Sequence, residues 1–161
     1  MSEKERHLYY LRKSMAVSKQ ARASGGKPNG ALLVDPSGAI VLEYGSIASD
    51  EGSCAGHAET RLMMNASKRY SRQELKTFTL YTFVEPCAVC AGAIYWGNIG
   101  TVVYGVPRKR LLELAGDDGR KFALSLSCED VFACGGKPIA VIGPFTEIEA
   151  ETAAAFARCG T

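Results

Sequence analysis

The chain contains no run of eighteen uncharged apolar residues, and its polar start, Met1-Ser2-Glu3-Lys4-Glu5-Arg6, leads into no apolar leader core. A membrane-spanning helix is thereby excluded, and a soluble, unexported, cytoplasmic protein is the expectation. Charge of one sign is also scarce. Nineteen Lys and Arg stand against 17 Asp and Glu, a net charge of +2, which sets up no general field for gripping a polyanion. The short basic group Arg108-Lys109-Arg110 reads as a solvated helix face. Proline is limited to 6 residues, and no internal repeat or low-complexity tract occurs, so fibrous and disordered classes drop out. Apolar residues make up 47% of 161, enough to bury one core, and the expectation is one domain over residues 1–161.

Within that domain, Leu8, Leu11, Met15 and Ser18 recur at helical spacing and predict an amphipathic helix over about residues 5–22, broken by Ser24-Gly25-Gly26-Lys27-Pro28. His7, in step with Leu11, reads as a partly exposed helix residue. Ala31–Val34 and Ala39–Glu43 are short apolar runs joined by the turn sequence Asp35-Pro36-Ser37-Gly38, a hairpin. His57 to about Tyr70 carries Leu62, Met63 and Ala66 in helical register. Thr77–Val84 is β-branched and aromatic, Glu85-Pro86 ends it, and Cys87–Trp96 resumes a helix that Gly97-Asn98 stops. Thr101–Gly105 follows as a strand, Arg108–Ala115 as a helix, Ile139–Ile142 as the last strand and Glu147–Ala157 as a closing helix. Gly116-Asp117-Asp118-Gly119 and Gly135-Gly136 read as loops. Strands separated by helices predict a layered α/β domain whose later strands run parallel.

Cysteine chemistry carries the functional signal. Six cysteines could pair as disulfides in an exported domain, but Cys87-Ala-Val-Cys90 at the start of a helix favours metal or redox use, leaving Cys54, Cys128, Cys134 and Cys159 as free thiols. Cys87 and Cys90 lie on one helix face and can reach one ion, and the helix N-terminus favours their thiolates. Histidine is scarce too: only His7 and His57 can add an imidazole, and His57 is the better placed. Helical positions two apart do not share a face, so His57 is expected to open its helix, letting it and Glu59 both project around the helix end. Three protein ligands leave a fourth zinc position for water, which a carboxyl group at Glu59 would deprotonate. Two rivals use the same residues: a redox Cys-x-x-Cys, and a closed structural zinc site in a binding module, with Cys54 as fourth ligand and Glu59 a mere solvated residue.

His57-Ala58-Glu59 followed by Pro86-Cys87-Ala88-Val89-Cys90 resembles the signature of the cytidine-deaminase superfamily. Gly30-Ala31-Leu32-Leu33-Val34 is similar to the first strand, and Ala91-Gly92-Ala93-Ile94 to the metal helix, of nucleobase and tRNA-adenosine deaminases; about residues 8 to 106 carry the likeness. The resemblance implies a three-layer α/β/α domain with a mixed five-stranded sheet, and a Zn²⁺-dependent aminohydrolase releasing ammonia. The substrate would be a free nucleobase, nucleoside or related nitrogen heterocycle, guanine-, cytosine- or aminotriazine-like. It further implies that the Ala58 amide binds a ring carbonyl and that the Glu85 carbonyl accepts a hydrogen bond from the departing amine.

Where most relatives carry an asparagine eleven positions before the histidine, this chain has Ser46, and where guanine deaminases carry a phenylalanine it has Asn29. Both are expected to line the pocket and alter its preference. Trp96 is a candidate for stacking on the base, with a core role as the alternative for it and Tyr95. A tRNA-adenosine deaminase is the alternative activity. Against it, Glu147, Glu149 and Glu151 outnumber Arg158 in the tail, where a tRNA-binding tail needs positive charge, so a small-molecule substrate is preferred. An apolar helix face around Ala91, Ile94 and Tyr95 would suit a homodimer like those of relatives. The end, Arg158-Cys159-Gly160-Thr161, reads as frayed or as a lid.

Overall fold

In the computed structural model, residues 1–23, 28–46, 53–115 and 123–157 are described. The order is α1 (Glu3–Ala23), β1 (Gly30–Val34), β2 (Ile40–Gly45), α2 (Ala58–Arg69), α3 (Arg72–Leu75), β3 (Thr79–Val84), α4 (Ala88–Trp96) and β4 (Thr101–Val106). Then come α5 (Arg108–Ala115), α6 (Cys128–Ala133), β5 (Ala140–Ile142), a 3₁₀ turn (Thr146–Ile148) and α7 (Glu149–Ala157). The five strands form one mixed sheet in the order β2-β1-β3-β4-β5. β1 is antiparallel to β2 and β3, whereas β3, β4 and β5 run parallel, as the intervening helices require.

Alternation along the strands builds the three layers. Ala31 and Leu33 of β1, with Leu80 and Val102, face α2, α4 and α6 through Leu62, Met63, Ala66, Ala91, Ile94 and Phe132. Leu32, Val34, Tyr81, Phe83 and Val103 face the opposite layer, where Leu11 and Met15 of α1, Leu111 of α5 and Ile148 close the second core. The β1–β2 turn is held by Asp35, whose Oδ1 accepts from the Ser37 and Ala39 amides at 2.9 and 3.0 Å, and Gly38 supplies the left-handed φ of 87° it needs.

Two short helices escape the periodicity. Ser71 caps α3 with a reciprocal Ser71–Glu74 capping box, and Ser127 caps α6 by accepting from the Asp130 amide. Two expectations need correction. His7 is buried, not partly exposed, because its Nδ1 lies 3.0 Å from the Tyr81 hydroxyl beneath α1. Ala91 and Ile94 form no open dimer face: both are fully buried against the sheet and α2, and the large apolar side chains that α4 leaves exposed are Val89 and Trp96. Cys54, Cys128 and Cys134 are free thiols, as expected. Cys159, the 116–119 loop and the 158–161 tail lie outside the described residues. Among the described residues, no helix is long and apolar enough to cross a membrane.

Candidate metal centre

Two helix starts converge at the end of the sheet where β3 finishes. His57 is the N-cap of α2 and Cys87 the N-cap of α4, both with extended backbone and neither using its side chain to cap the helix. Such positions ordinarily hold Ser, Thr, Asp or Asn, whose oxygens turn back onto the helix amides. Imidazole and thiol there are free to point outward instead. Cys90, one turn into α4, faces the same way and is 1% exposed. The chain entering α2 is fixed by Thr60, whose hydroxyl donates to the carbonyls of Ala55 and His57, and by Arg61, which donates to the Gly45 carbonyl at the end of β2.

The three ligating atoms form a tight triangle. His57 Nδ1 lies 3.3 Å from Cys87 Sγ and 3.4 Å from Cys90 Sγ, and the two sulfurs are 3.5 Å apart. A tetrahedral zinc site with Zn–S of about 2.3 Å and Zn–N of about 2.0–2.1 Å has edges of roughly 3.6–3.8 Å. The observed edges are shorter by about 0.3 Å or less, so these residues fit zinc. Among the described residues, the group with metal-ligand geometry is His57, Cys87 and Cys90; exposed Cys54 is no part of it. A structural site with Cys54 as fourth ligand therefore finds no support in the geometry.

Electrostatics favour a cation. Hydrogen bonds from Cys90 and then His57 hold the Cys87 thiol below its ordinary range. Its thiolate in turn raises the His57 imidazole. Cys90 moves the other way: the bond to Cys87 and burial push its thiol up. A dication that displaces the remaining protons is the natural occupant of such a cluster.

Glu59, at the second position of α2, is 5% exposed, and burial raises its carboxyl above the ordinary glutamate range. Its Oε2 lies 3.4 Å from Cys90 Sγ, and its Oε1 accepts a 3.0 Å hydrogen bond from the Thr82 hydroxyl. Thr82 was not anticipated from sequence; its signal is a polar side chain in the otherwise apolar, buried run Leu80–Val84. Ala58, the first residue of α2, has an amide with no acceptor within its helix.

Glu85 is also buried, and its side chain does something the sequence did not disclose. Oε2 accepts from the Arg108 amide at 2.9 Å and Oε1 from the Cys128 amide at 3.0 Å, so one carboxylate receives the first amides of α5 and α6. Asn29 and Ser46 meet at the same rim, the Ser46 amide donating to the Asn29 carbonyl at 3.1 Å. Ser46 is buried, and its hydroxyl has no hydrogen-bond partner among the described residues. Trp96 is not brought to the centre. It ends α4, nine residues or about 13 Å of helix beyond Cys87, and is 73% exposed under the Lys137 ammonium.

Comparison with known proteins agrees with this geometry. Residues 4–106 match the family model of the cytidine and deoxycytidylate deaminase zinc-binding region. A probable cytosine deaminase of Schizosaccharomyces pombe is 37% identical over 146 residues, covering 91% of this chain and 88% of that protein. A tRNA-specific adenosine deaminase of Haemophilus influenzae is 34% identical over 95 residues, 59% of this chain and 55% of that protein. In fold, the chain superposes on a guanine deaminase from Nitrosomonas europaea with a TM-score of 0.66 at 19% identity, covering 98% of this chain and 84% of that one.

Proposed function

The chain belongs to the cytidine and deoxycytidylate deaminase family, a hydrolytic C–N-cleaving deaminase with a zinc-binding region, and within that family we propose that it deaminates a free nucleobase, with cytosine the first candidate. The ring amine is replaced by a carbonyl oxygen and leaves as ammonia, and residues 1–161 act as one deaminase domain. The observation that carries this reading is the buried Glu59 carboxyl, 3.4 Å from a sulfur of the His57–Cys87–Cys90 triangle.

Zinc held by those three residues supplies the Lewis acidity that makes water a nucleophile near neutral pH. Glu59 takes the first water proton and delivers it to the ring nitrogen, then takes the second from the new hydroxyl on the ring carbon and passes it to the leaving amine. Burial suits it to the first step, because a carboxyl with a raised pKa is a stronger base toward the water proton than a solvated one. The Ala58 amide binds the ring carbonyl and the Glu85 backbone carbonyl accepts from the departing amine, while the Glu85 side chain is held toward α5 and α6. Asn29 and Ser46 shape the rim. An unpartnered buried hydroxyl costs about 1–3 kcal/mol, which a polar ring substituent reaching Ser46 would offset.

The cytosine assignment draws on the Schizosaccharomyces pombe relative, matched over nearly its whole length. The tRNA reading is disfavoured by the C-terminal acids. Glu147, Glu149 and Glu151 pair with Lys4, Arg110 and Arg12, tying up cations that would otherwise face a phosphate backbone.

Ammonia release should be measured from cytosine, guanine, an aminotriazine and an adenosine-bearing tRNA anticodon stem. Turnover of cytosine is expected, and turnover of the tRNA alone would overturn the assignment. Glu59→Gln is expected to keep its zinc and lower kcat by roughly 10²–10⁴-fold; undiminished turnover would remove Glu59 from the chemistry.

A further inference from the structure

We propose that Thr82 is the positioning residue for Glu59, holding one carboxyl oxygen so that the other faces the metal ligands. The proposal rests on the reading of Glu59 as the proton carrier. A carboxyl group on two methylenes turns freely unless something holds it, and among the described residues the side chains bonded to it are Thr82 on the sheet and Cys90 on α4. Thr82 Oγ1 donates to Glu59 Oε1 at 3.0 Å, while Oε2 is the oxygen turned to Cys90 at 3.4 Å. The two contacts divide the carboxyl into an anchored oxygen and a working one.

Thr82 is well suited to be an anchor. It lies in the central strand β3, paired with Ala31 of β1 on one side and Tyr104 of β4 on the other, and is 1% exposed. Its β-branched side chain is restricted in χ1, so backbone pairing fixes the direction of the hydroxyl. The same hydroxyl has a second acceptor in reach, the Val84 carbonyl at 3.1 Å. The single hydroxyl proton goes to the more basic acceptor, the carboxylate, and charge-assisted bonds of this kind are about twice as strong as neutral ones.

The test uses full-length zinc-loaded protein and three variants. Thr82→Val removes the hydroxyl at nearly constant volume, Thr82→Ser keeps it, and Glu59→Gln reports on the carrier itself. With cytosine, or with guanine if that is the base the wild type turns over, Thr82→Val is expected to lower kcat by roughly 10–100-fold, with KM within about threefold and one zinc per chain retained. Thr82→Ser should recover kcat to within about threefold of wild type. A crystal structure of Thr82→Val should show the Glu59 carboxyl rotated from its Cys90-facing position, a readout independent of any substrate.

Unchanged kcat in Thr82→Val beside an inactive Glu59→Gln would overturn the positioning role and leave the proton carrier standing. Equal losses in the Val and Ser variants would overturn it as well, since packing and not the hydroxyl would then be responsible. An active Glu59→Gln would instead bring down the underlying assignment. An unmoved carboxyl in the Thr82→Val crystal refutes the proposal whatever the kinetics.

Discussion

Removing the Glu85 carboxylate should destabilise the whole domain, and by an amount its contacts allow one to work out. The side chain is 6% exposed and accepts two backbone amides, those of Arg108 and Cys128, at 2.9 and 3.0 Å. Each is the first amide of a helix, with no acceptor inside that helix, and each meets a negative charge at the favourable end of the helix dipole. Hydrogen bonds to charged groups contribute about 1.5–3 kcal/mol apiece. Glu85→Ala forfeits both and strands the buried Cys128 amide, so a loss of about 3–6 kcal/mol is expected. For a domain of this length each kcal/mol moves Tm by roughly 2–4 °C, which puts the fall between about 6 and 24 °C. Glu85→Gln keeps one acceptor and turns an N–H toward the other amide, so it should lose about half as much or somewhat more. Thermal unfolding of the zinc-saturated proteins measures both. A Glu85→Ala protein melting within about 2 °C of wild type would refute the claim that this one carboxylate holds α5 and α6 to the metal loop.

Other expectations follow from the same contacts. Cys54→Ser should bind one zinc per chain with wild-type affinity, whereas Cys87→Ser and Cys90→Ser should lose the metal; metal analysis after dialysis separates three ligands from four. Ser46→Asn should change the ratio of cytosine to guanine turnover by tenfold or more while zinc content stays constant, and an unaltered ratio would remove Ser46 from the pocket. His7 gives a pH signature. Burial lowers its pKa in the folded state, so below the ordinary histidine value of about 6.5 the unfolded chain binds the extra proton and stability falls as the solution is acidified. The stabilising effect is therefore complete above that value and declines below it. The drop in Tm between pH 7.5 and 5.5 should be smaller in His7→Gln than in wild type, and equal drops would show that His7 contributes nothing to the acid sensitivity.

Much of the metal end was legible because its chemistry is local in sequence. Cys87 and Cys90 are one helical turn apart, and His57 and Glu59 can both face a metal only if their helix begins between them, which is where α2 begins. What escaped were contacts set by distant chain segments. Glu85 receives amides 23 and 43 residues away, so nothing near it in sequence announces the second use of its carboxylate. His7 looked like a surface helix residue because its partner, Tyr81, lies 74 positions on. Ala91 and Ile94 read as a flat face open to a second subunit, but small residues also allow close approach of α4 to α2 and the sheet, and that is how they are used. The Trp96 ring suits stacking on a base, but nine residues of α-helix from Cys87 place it at the far end of α4. Ser71 and Glu74 carried a readable capping-box signal for α3 that the apolar periodicity around them overshadowed.

Strand register explains how the rim and the metal come to share one end of the sheet. Ala31 pairs with Thr82 across the antiparallel β1–β3 boundary, and Gly30 pairs with Gly45 across β1–β2. Stepping one residue back from Gly30 and one forward from Gly45 reaches Asn29 and Ser46, hydrogen-bonded to each other, while stepping forward from Thr82 reaches Glu85 and Cys87. Because β1 runs against both neighbours, its start and their ends must coincide, whatever the intervening loops do. The metal ligands belong to α2 and α4, whereas Asn29 and Ser46 flank β1 and β2. Substitution at Ser46 is therefore expected to change what the rim touches while the ligands stay in place, since among the described residues its hydroxyl bonds to neither metal-bearing helix. Thr82 bridges the two systems, paired through its backbone to the strand that presents Asn29 and through its hydroxyl to the carboxyl beside Cys90. A substitution at that one position is expected to disturb turnover where the neighbouring rim residues disturb selectivity.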